Sequence, residues 1–143
     1  MNHGIDTGFL VAAEIIEHPN HLAARAKLAA LLTAGDRFVL APQVLAEFIH
    51  IITDPRRFTA PLSIDSARDI AQKWWTAKEI SHASPDAVAV DQFFIWHRMH
   101  RLGRKRLLDT LLAATYRSAG VSSLLTTNPN DFIILGGFQC LTP

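Results

Sequence analysis

Short apolar segments alternate with longer helix-forming stretches along this sequence, and that alternation restricts the fold more than any other feature. The candidate strands are residues 3–6, 37–41, 87–90, 123–127 and 138–141. The helices predicted around them are residues 7–17, 21–34, 42–53, 63–81, 91–102 and 107–119. Gly and Pro fall between these segments, where turns are expected. Strands that alternate with helices form parallel sheets, so the sequence predicts an α/β domain with a mainly parallel sheet.

The bulk composition sets limits on the function. The chain has 143 residues, which fits a single domain spanning residues 1–143. A net charge of +1 gives no general attraction to polyanions, so any nucleic-acid binding must depend on local charge. Cys140 is the one cysteine, which excludes an internal disulfide and a thiolate metal cluster. With no signal-peptide pattern and no apolar run of about 20 residues, we expect a cytoplasmic protein without a membrane segment.

Two aspartates lie at positions where a parallel α/β sheet carries its functional groups, and a third opens a helix. In such sheets the functional crevice lies beyond the carboxyl ends of the strands. Asp6 follows the first predicted strand, Asp131 follows the fourth, and Asp109 opens a helix. Each also has an ordinary explanation when taken alone. Asp6 and Asp109 are suited to a helix N-terminus, and Asp131 lies in an Asn- and Pro-containing turn.

Glu47 is harder to explain from local structure. The helix around it has an apolar stripe of Val44, Phe48, Ile51 and Ile52, and Glu47 falls within that stripe. A carboxylate on a core-facing stripe is costly unless it is paired or bound to a metal. The alternatives are a partly exposed edge position or an ion pair with an arginine.

The four acids come from four separate segments that an α/β topology can bring to one edge of a sheet. Clustered carboxylates repel one another and would be driven towards protonation without a counter-ion. A hard divalent cation such as Mg²⁺ or Mn²⁺ prefers oxygen ligands and relieves that repulsion. We therefore predict one acidic, metal-binding site formed by Asp6, Glu47, Asp109 and Asp131.

A basic stretch directly precedes Asp109. Five of the 14 Lys and Arg residues lie between residues 97 and 106. They are Arg98, Arg101, Arg104, Lys105 and Arg106. Cations at such positions bind phosphates without reading base sequence, so we predict that they hold the substrate beside the acids. The alternative is an ordinary solvated helix face and loop.

Four short motifs occur in a recognisable order. They are I-D-T at residues 5–7, L-A-E-F at 45–48, D-T-L-L-A-A-T at 109–115 and T-x-N-x-x-D-F at 126–132. Each motif is weak alone, but the order and spacing together are specific. The chain resembles the PIN domain family, and within it the VapC-like ribonuclease toxins of type II toxin–antitoxin systems.

This resemblance implies a three-layer α/β/α sandwich and a metal-dependent endoribonuclease. Asp6, Glu47, Asp109 and Asp131 would bind Mg²⁺ or Mn²⁺ and carry catalysis. Thr7, Thr126 and Asn128 would support them through hydrogen bonds. The implied partners are RNA, a small antitoxin protein whose segment blocks the acidic cleft, and a second copy of the chain in a homodimer. Position 8 departs from the family, because Gly8 stands where many members have Ser or Asn.

Two other functions remain open at this point. The chain could be a catalytically weak PIN domain that binds RNA or another protein, and the absence of a side chain at Gly8 favours this mildly. It could instead be a DNase of the same superfamily. Retention of all four acids argues against the first alternative. The small size and the lack of an added DNA-binding motif argue against the second.

Overall fold

The computed structural model describes all 143 residues and contains a five-stranded sheet in which every strand pair is parallel. The strands are β1 (Asn2–Ile5), β2 (Arg37–Leu40), β3 (Ile80–His82), β4 (Ser123–Leu125) and β5 (Gln139–Leu141). Their spatial order is β3-β2-β1-β4-β5. The predicted α/β class with a parallel sheet is therefore confirmed.

Seven α-helices and one 3₁₀ turn connect the strands. They are α1 (Thr7–Glu14), α2 (His21–Thr33), α3 (Pro42–Ile52), α4 (Ile64–Thr76), α5 (Ala87–Met99), the 3₁₀ turn Arg104–Arg106, α6 (Leu107–Ser118) and α7 (Asn130–Ile133). Helices α1 to α4 pack with one another, and α5 to α7 form a second group. Because parallel crossovers are right-handed, connections that run in opposite directions along the sheet place these groups on opposite faces. The result is the α/β/α sandwich that the resemblance implied.

The third strand lies where the sequence predicted a helix. The predicted helix over residues 63–81 ends at Thr76, and the predicted strand over residues 87–90 is the first turn of α5. The Asp86 side chain accepts a hydrogen bond from the Ala89 N–H at 2.7 Å, and this cap starts the helix. Periodicity alone does not distinguish a short apolar run in a strand from one in a helix. The real β3 has only three residues, and two of them are exposed.

The sheet has one topological switch point, and it lies between β1 and β4. From β1 the chain adds β2 and then β3 on one side, and it later adds β4 and β5 on the other. The Asp6 N–H donates to Leu125 O at 2.9 Å, which continues the β1–β4 pairing to the carboxyl end of both strands. Ligands of open α/β sheets bind at such a point, so residues after β1 and β4 line the expected crevice.

Tyr116 holds α6 against β1 directly beneath that crevice. Its hydroxyl donates to Ile5 O at 2.7 Å, and the side chain is fully buried. The ring packs so closely on β1 that a Cβ atom at Gly4 would lie 2.8 Å from it and 2.7 Å from Leu124. Only glycine fits there without displacing its neighbours. Asp109 begins the same helix, so this packing also sets its distance from β1.

None of the helices combines the length and apolar character that crossing a membrane would require.

Candidate functional site

Asp6 lies at the carboxyl end of β1 and is the most buried acid of the predicted site. Its Oδ1 accepts from the Thr7 N–H at 2.8 Å, and its Oδ2 accepts from Thr126 Oγ1 at 2.7 Å. The residue is only 7% exposed. Burial raises the pKa of Asp6 to about 6, although the hydrogen bonds from Thr126 and Thr7 act in the opposite direction. Asp6 is therefore both a helix cap and a perturbed carboxyl group.

Glu47 lies at the rim of the site and is exposed. Its Oε2 accepts from Thr7 Oγ1 at 2.8 Å, and the N–H of the same buried threonine donates to Asp6, so Thr7 links Glu47 to Asp6. The prediction that Glu47 stands on a core-facing stripe is wrong. Val44 and Phe48 fill the core, and Glu47 lies at the edge of their stripe, where a carboxylate keeps its contact with water. The cost of burial therefore gives no argument for metal binding at this residue.

Asp109 and Asp131 approach each other from α6 and α7. Asp109 lies in the first turn of α6, as predicted, whereas Asp131 belongs to a short helix and not to a turn. Burial raises the pKa of Asp109 to about 7. The negative charges of Asp6, Asp131 and Glu47 raise it further. The charges of the other three predicted acids thus act on the Asp109 carboxyl group.

The segment after β4 connects two of these acids. Thr126 is fully buried, and its Oγ1, which donates to Asp6, accepts from the Asn128 N–H at 3.0 Å. The carbonyl oxygen of Asn128 accepts from the Asp131 N–H at 3.2 Å. The Asn128 side chain is exposed and makes no hydrogen bond to the acids, so its contribution here comes from the main chain.

Gly8 lies against Thr127, a residue that the sequence did not single out. A Cβ atom at Gly8 would lie 2.5 Å from Thr127 Oγ1, which is shorter than any normal contact. The Thr127 hydroxyl therefore occupies the space that a Ser or Asn at position 8 would need. The signal in the sequence was a threonine pair following β4, which has no meaning until β4 and α1 are placed side by side.

The predicted basic residues divide into two groups. Arg98, Arg101, Arg104 and Lys105 are exposed, and none of them takes part in an ion pair. Arg106 is turned inwards to Asp131, with Nη1 3.2 Å from Oδ1 and Nη2 donating to the main-chain oxygen at 2.7 Å. Four of the five cations are thus exposed and unpaired, and the fifth is engaged with Asp131.

The chemistry of these donors fits a hard divalent cation. In the structure, no group of three Asp, Glu, His or Cys side chains is close enough together to coordinate one metal ion. The four carboxylates nevertheless have a single arginine partner between them, and two have pKa values raised to about 6 and 7. Perturbed acids of this kind cluster at functional sites, and oxygen-only donor sets suit Mg²⁺ or Mn²⁺.

Asp6 lies after β1 at the switch point of a parallel α/β sheet, and sheets of this kind bind their ligands there. The PIN domain profile matches residues 5–136, which include all four acids. The chain therefore belongs to the PIN domain family. It is 29% identical to Ribonuclease VapC24 of Mycobacterium tuberculosis over 137 residues, which cover 92% of this chain and 90% of that protein.

Solved structures with the same fold are toxin–antitoxin proteins. VapBC2 from Rickettsia felis, bound to a DNA fragment from its promoter, aligns with a TM-score of 0.69 at 17% identity, covering 100% of this chain and 99% of that one. VapBC-1 from nontypeable Haemophilus influenzae aligns with a TM-score of 0.67 at 16% identity, covering 99% of this chain and 98% of that one. The sarcin–ricin-loop-cleaving toxin VapC20 of M. tuberculosis aligns with a TM-score of 0.65 at 16% identity, covering 87% of each chain. At such identities the likeness establishes the fold alone.

Proposed function

We propose that residues 1–143 form one PIN-like nuclease domain that hydrolyses RNA with Mg²⁺ or Mn²⁺, as the toxin of a type II toxin–antitoxin system. One observation supports this most strongly. Asp109 lies among three other acids whose charges, together with burial, raise its pKa to about 7, in a chain similar to a named ribonuclease. Such a carboxyl group is expensive to ionise without a cation, and the other acids supply the remaining ligands.

Asp6, Glu47, Asp109 and Asp131 would hold the metal. When bound, the cation would offset their repulsion, lower the pKa of a water molecule and stabilise charge on the phosphate oxygens. Thr126 and the Thr7 N–H bind the ionised form of Asp6, and this opposes the effect of its burial. Glu47 is exposed, so the site stays open to water and substrate on that side.

The exposed cations before Asp109 would hold the RNA strand. Arg104 and Lys105 precede α6 in a 3₁₀ turn, within five residues of Asp109. A cavity of about 430 Å³ reaches α1 two residues after Asp6. Its lining includes Gly8, Glu17, Arg57 and Phe58. RNA is recognised in single strands by phosphate contacts and by stacking of bases on aromatic rings, and this surface offers both.

A small antitoxin is the proposed protein partner. Related folds are solved as toxin–antitoxin complexes from R. felis and H. influenzae. This chain offers an apolar groove of about 330 Å³ between α3 and α4, lined by Leu45, Ile49 and Trp75 among others. Amphipathic helices bind in grooves of this type. Glu47 lies on α3 as well, so an antitoxin segment bound in this groove would contact the helix that carries one of the acids.

A homodimer is the proposed assembly. Helix α5 exposes Phe94, Ile95 and Met99, which are 57%, 55% and 61% accessible. Contiguous apolar side chains of this size mark interaction surfaces. Ile95→Glu should therefore convert a dimer to a monomer in light scattering. A wild-type chain that elutes as a monomer would contradict this assignment.

The central experiment incubates the purified protein with RNA and with DNA, each with Mg²⁺, Mn²⁺ or EDTA, beside Asp6→Asn. We expect cleavage of RNA, abolished by EDTA and by the substitution. Cleavage that persists in EDTA, or in Asp6→Asn, would exclude the acidic site as its source. Cleavage of DNA instead would support the DNase alternative, and metal-dependent binding of RNA without cleavage would support the binding-module alternative.

A further inference from the structure

We infer that Arg106 is a positioning residue that fixes Asp131 in the acidic site, and is not an RNA contact. This rests on the proposed function only in treating Asp131 as a metal ligand. One guanidinium group contacts both the carboxylate and the main-chain oxygen of the same aspartate, at 3.2 and 2.7 Å. Such a fork fixes direction as well as distance, because the planar group presents its donors at set angles.

The contact joins the two helices that carry neighbouring acids. Arg106 is the N-cap residue of α6, three positions before Asp109, and its carbonyl oxygen accepts from Thr110 Oγ1 at 2.6 Å. Asp131 lies on α7, which has only four residues. A helix so short has little stability of its own, so its placement depends on tertiary contacts. The Arg106 fork is therefore a direct determinant of the separation between Asp109 and Asp131.

Burial distinguishes this pair from a surface ion pair. The side chains of Arg106 and Asp131 are 25% and 29% exposed, whereas the arginine of the surface pair Arg56–Asp54 is 86% exposed. Arg106 Nε is buried and has no hydrogen-bond partner. The guanidinium is thus largely withdrawn from solvent, and its terminal nitrogens point to Asp131. An arginine in this position is poorly placed to bind a phosphate.

Arg106 also changes the charge of the site. Four carboxylates would carry four negative charges, and Arg106 offsets one of them. Positioning and charge offset predict opposite effects of substitution on metal affinity. Loss of positioning weakens metal binding because one ligand moves. Loss of a positive charge alone strengthens metal binding because the site becomes more negative.

The test compares Arg106→Lys and Arg106→Gln with Lys105→Gln, an adjacent variant that loses the same charge from an exposed side chain. Mn²⁺ affinity is measured by calorimetric titration without RNA, and kcat and KM are measured with RNA. If Arg106 positions Asp131, both Arg106 variants weaken Mn²⁺ binding about tenfold and lower kcat. Lysine fails because a single ammonium group cannot reproduce the fork. Lys105→Gln should keep the wild-type Mn²⁺ affinity and kcat, and raise KM.

A double-mutant cycle with Asp131→Asn completes the experiment. If Arg106 acts through Asp131, Arg106→Lys should weaken Mn²⁺ binding much less in that background than in the wild type. Tighter Mn²⁺ binding by Arg106→Gln would overturn positioning in favour of charge offset. A rise in KM with unchanged Mn²⁺ affinity would restore Arg106 as an RNA contact. A wild type that binds Mn²⁺ but cleaves no RNA would refute the proposed function alone, because the Mn²⁺ comparison still decides the role of Arg106.

Discussion

The two ends of β1 carry polar clusters of opposite character. At the amino end, His3 is buried between Ser123 and Asp36, with Nδ1 2.7 Å from Ser123 Oγ and Nε2 3.3 Å from Asp36 Oδ2. The amino group of Met1 donates to Asp36 Oδ1 at 2.8 Å. At the carboxyl end, Asp6 faces other acids. The amino end thus pairs its carboxylate with the Met1 amino group and places it beside His3, and the carboxyl end places like charges together.

The pKa values show what this difference means. Hydrogen bonds from the Met1 amino group and His3 hold the pKa of Asp36 below its usual value. Burial and neighbouring acids raise those of Asp6 and Asp109 to about 6 and 7. The Ser123–His3–Asp36 chain has the order of a hydrolase triad, but Ser123 is 3% exposed and His3 2%, so no substrate reaches it. The amino-end carboxylate is paired with the Met1 amino group, whereas the four acids at the carboxyl end share one arginine partner, and perturbed acids of that kind cluster at functional sites.

The largest expected effect is on RNA cleavage. Asp109→Asn should reduce kcat/KM on the order of 10³-fold, equivalent to about 4 kcal/mol, because it removes a charge that holds the metal. Asp36→Asn makes the same chemical change at the other end of β1 and should leave kcat/KM close to the wild-type value. Gel-based cleavage assays measure both variants. Equal losses in the two variants would remove the distinction between the ends.

The second-largest expected effect is on the stabilisation of the fold by Mn²⁺, which should differ between variants at the two ends of β1. A ligand that binds only the folded state at 100 times its Kd adds about 2.7 kcal/mol to the free energy of unfolding. Mn²⁺ should therefore raise the Tm of wild type and Asp36→Asn alike, and should raise that of Asp6→Asn much less. Differential scanning fluorimetry with and without EDTA measures this. An unchanged Mn²⁺ shift in Asp6→Asn would place the metal elsewhere.

Without metal, the acids at the two ends of β1 should affect the free energy of unfolding in separate pH ranges. The pKa values of Asp6 and Asp109 are raised in the folded protein, so these two acids do not lower the free energy of unfolding below pH 4. The free energy of unfolding falls as the pH rises through 6 and 7. Asp36 has a lowered pKa, so its contribution is lost only as pH falls below 4. Urea unfolding in EDTA at several pH values covers both ranges.

Asp109→Asn should reduce the change in the free energy of unfolding with pH near neutrality, and should raise that free energy at pH 8. With screening at this partly exposed residue, the gain should be about 1–2 kcal/mol. Asp36→Asn should change the free energy of unfolding only below pH 4. A neutral-pH slope that survives in Asp109→Asn would contradict the raised pKa of that group.

The smallest expected effect concerns the surface cations. Lys105→Ala should raise KM by a factor of a few and lower the salt dependence of RNA binding by about one phosphate contact. Arg37→Ala removes the same charge at the amino end of the sheet and should change neither quantity. Fluorescence-anisotropy titrations at several salt concentrations measure both. A matching loss in Arg37→Ala would indicate general charge attraction and no defined RNA path.

Local pattern was enough to predict the architecture of the chain. The alternation of apolar segments with helical stretches predicted the parallel sheet, and four of its five strands lie where the sequence placed them, to within a few residues. The motifs also placed Asp6 at the end of β1 and Asp109 in the first turn of α6. These features depend on residues close together in the chain, whose spacing directly reflects the period of a helix or strand.

Only the tertiary structure decided the features that depend on residues far apart. Strand β3 is a short, half-exposed edge segment, so pairing with β2 and not its own pattern makes it a strand. The exposure of Glu47 follows from how α3 is rotated against the sheet. The pairing of Arg106 with Asp131 joins positions 25 residues apart. The sequence alone determined which acids are present and in what order, and long-range packing determined which of them are buried, exposed or paired.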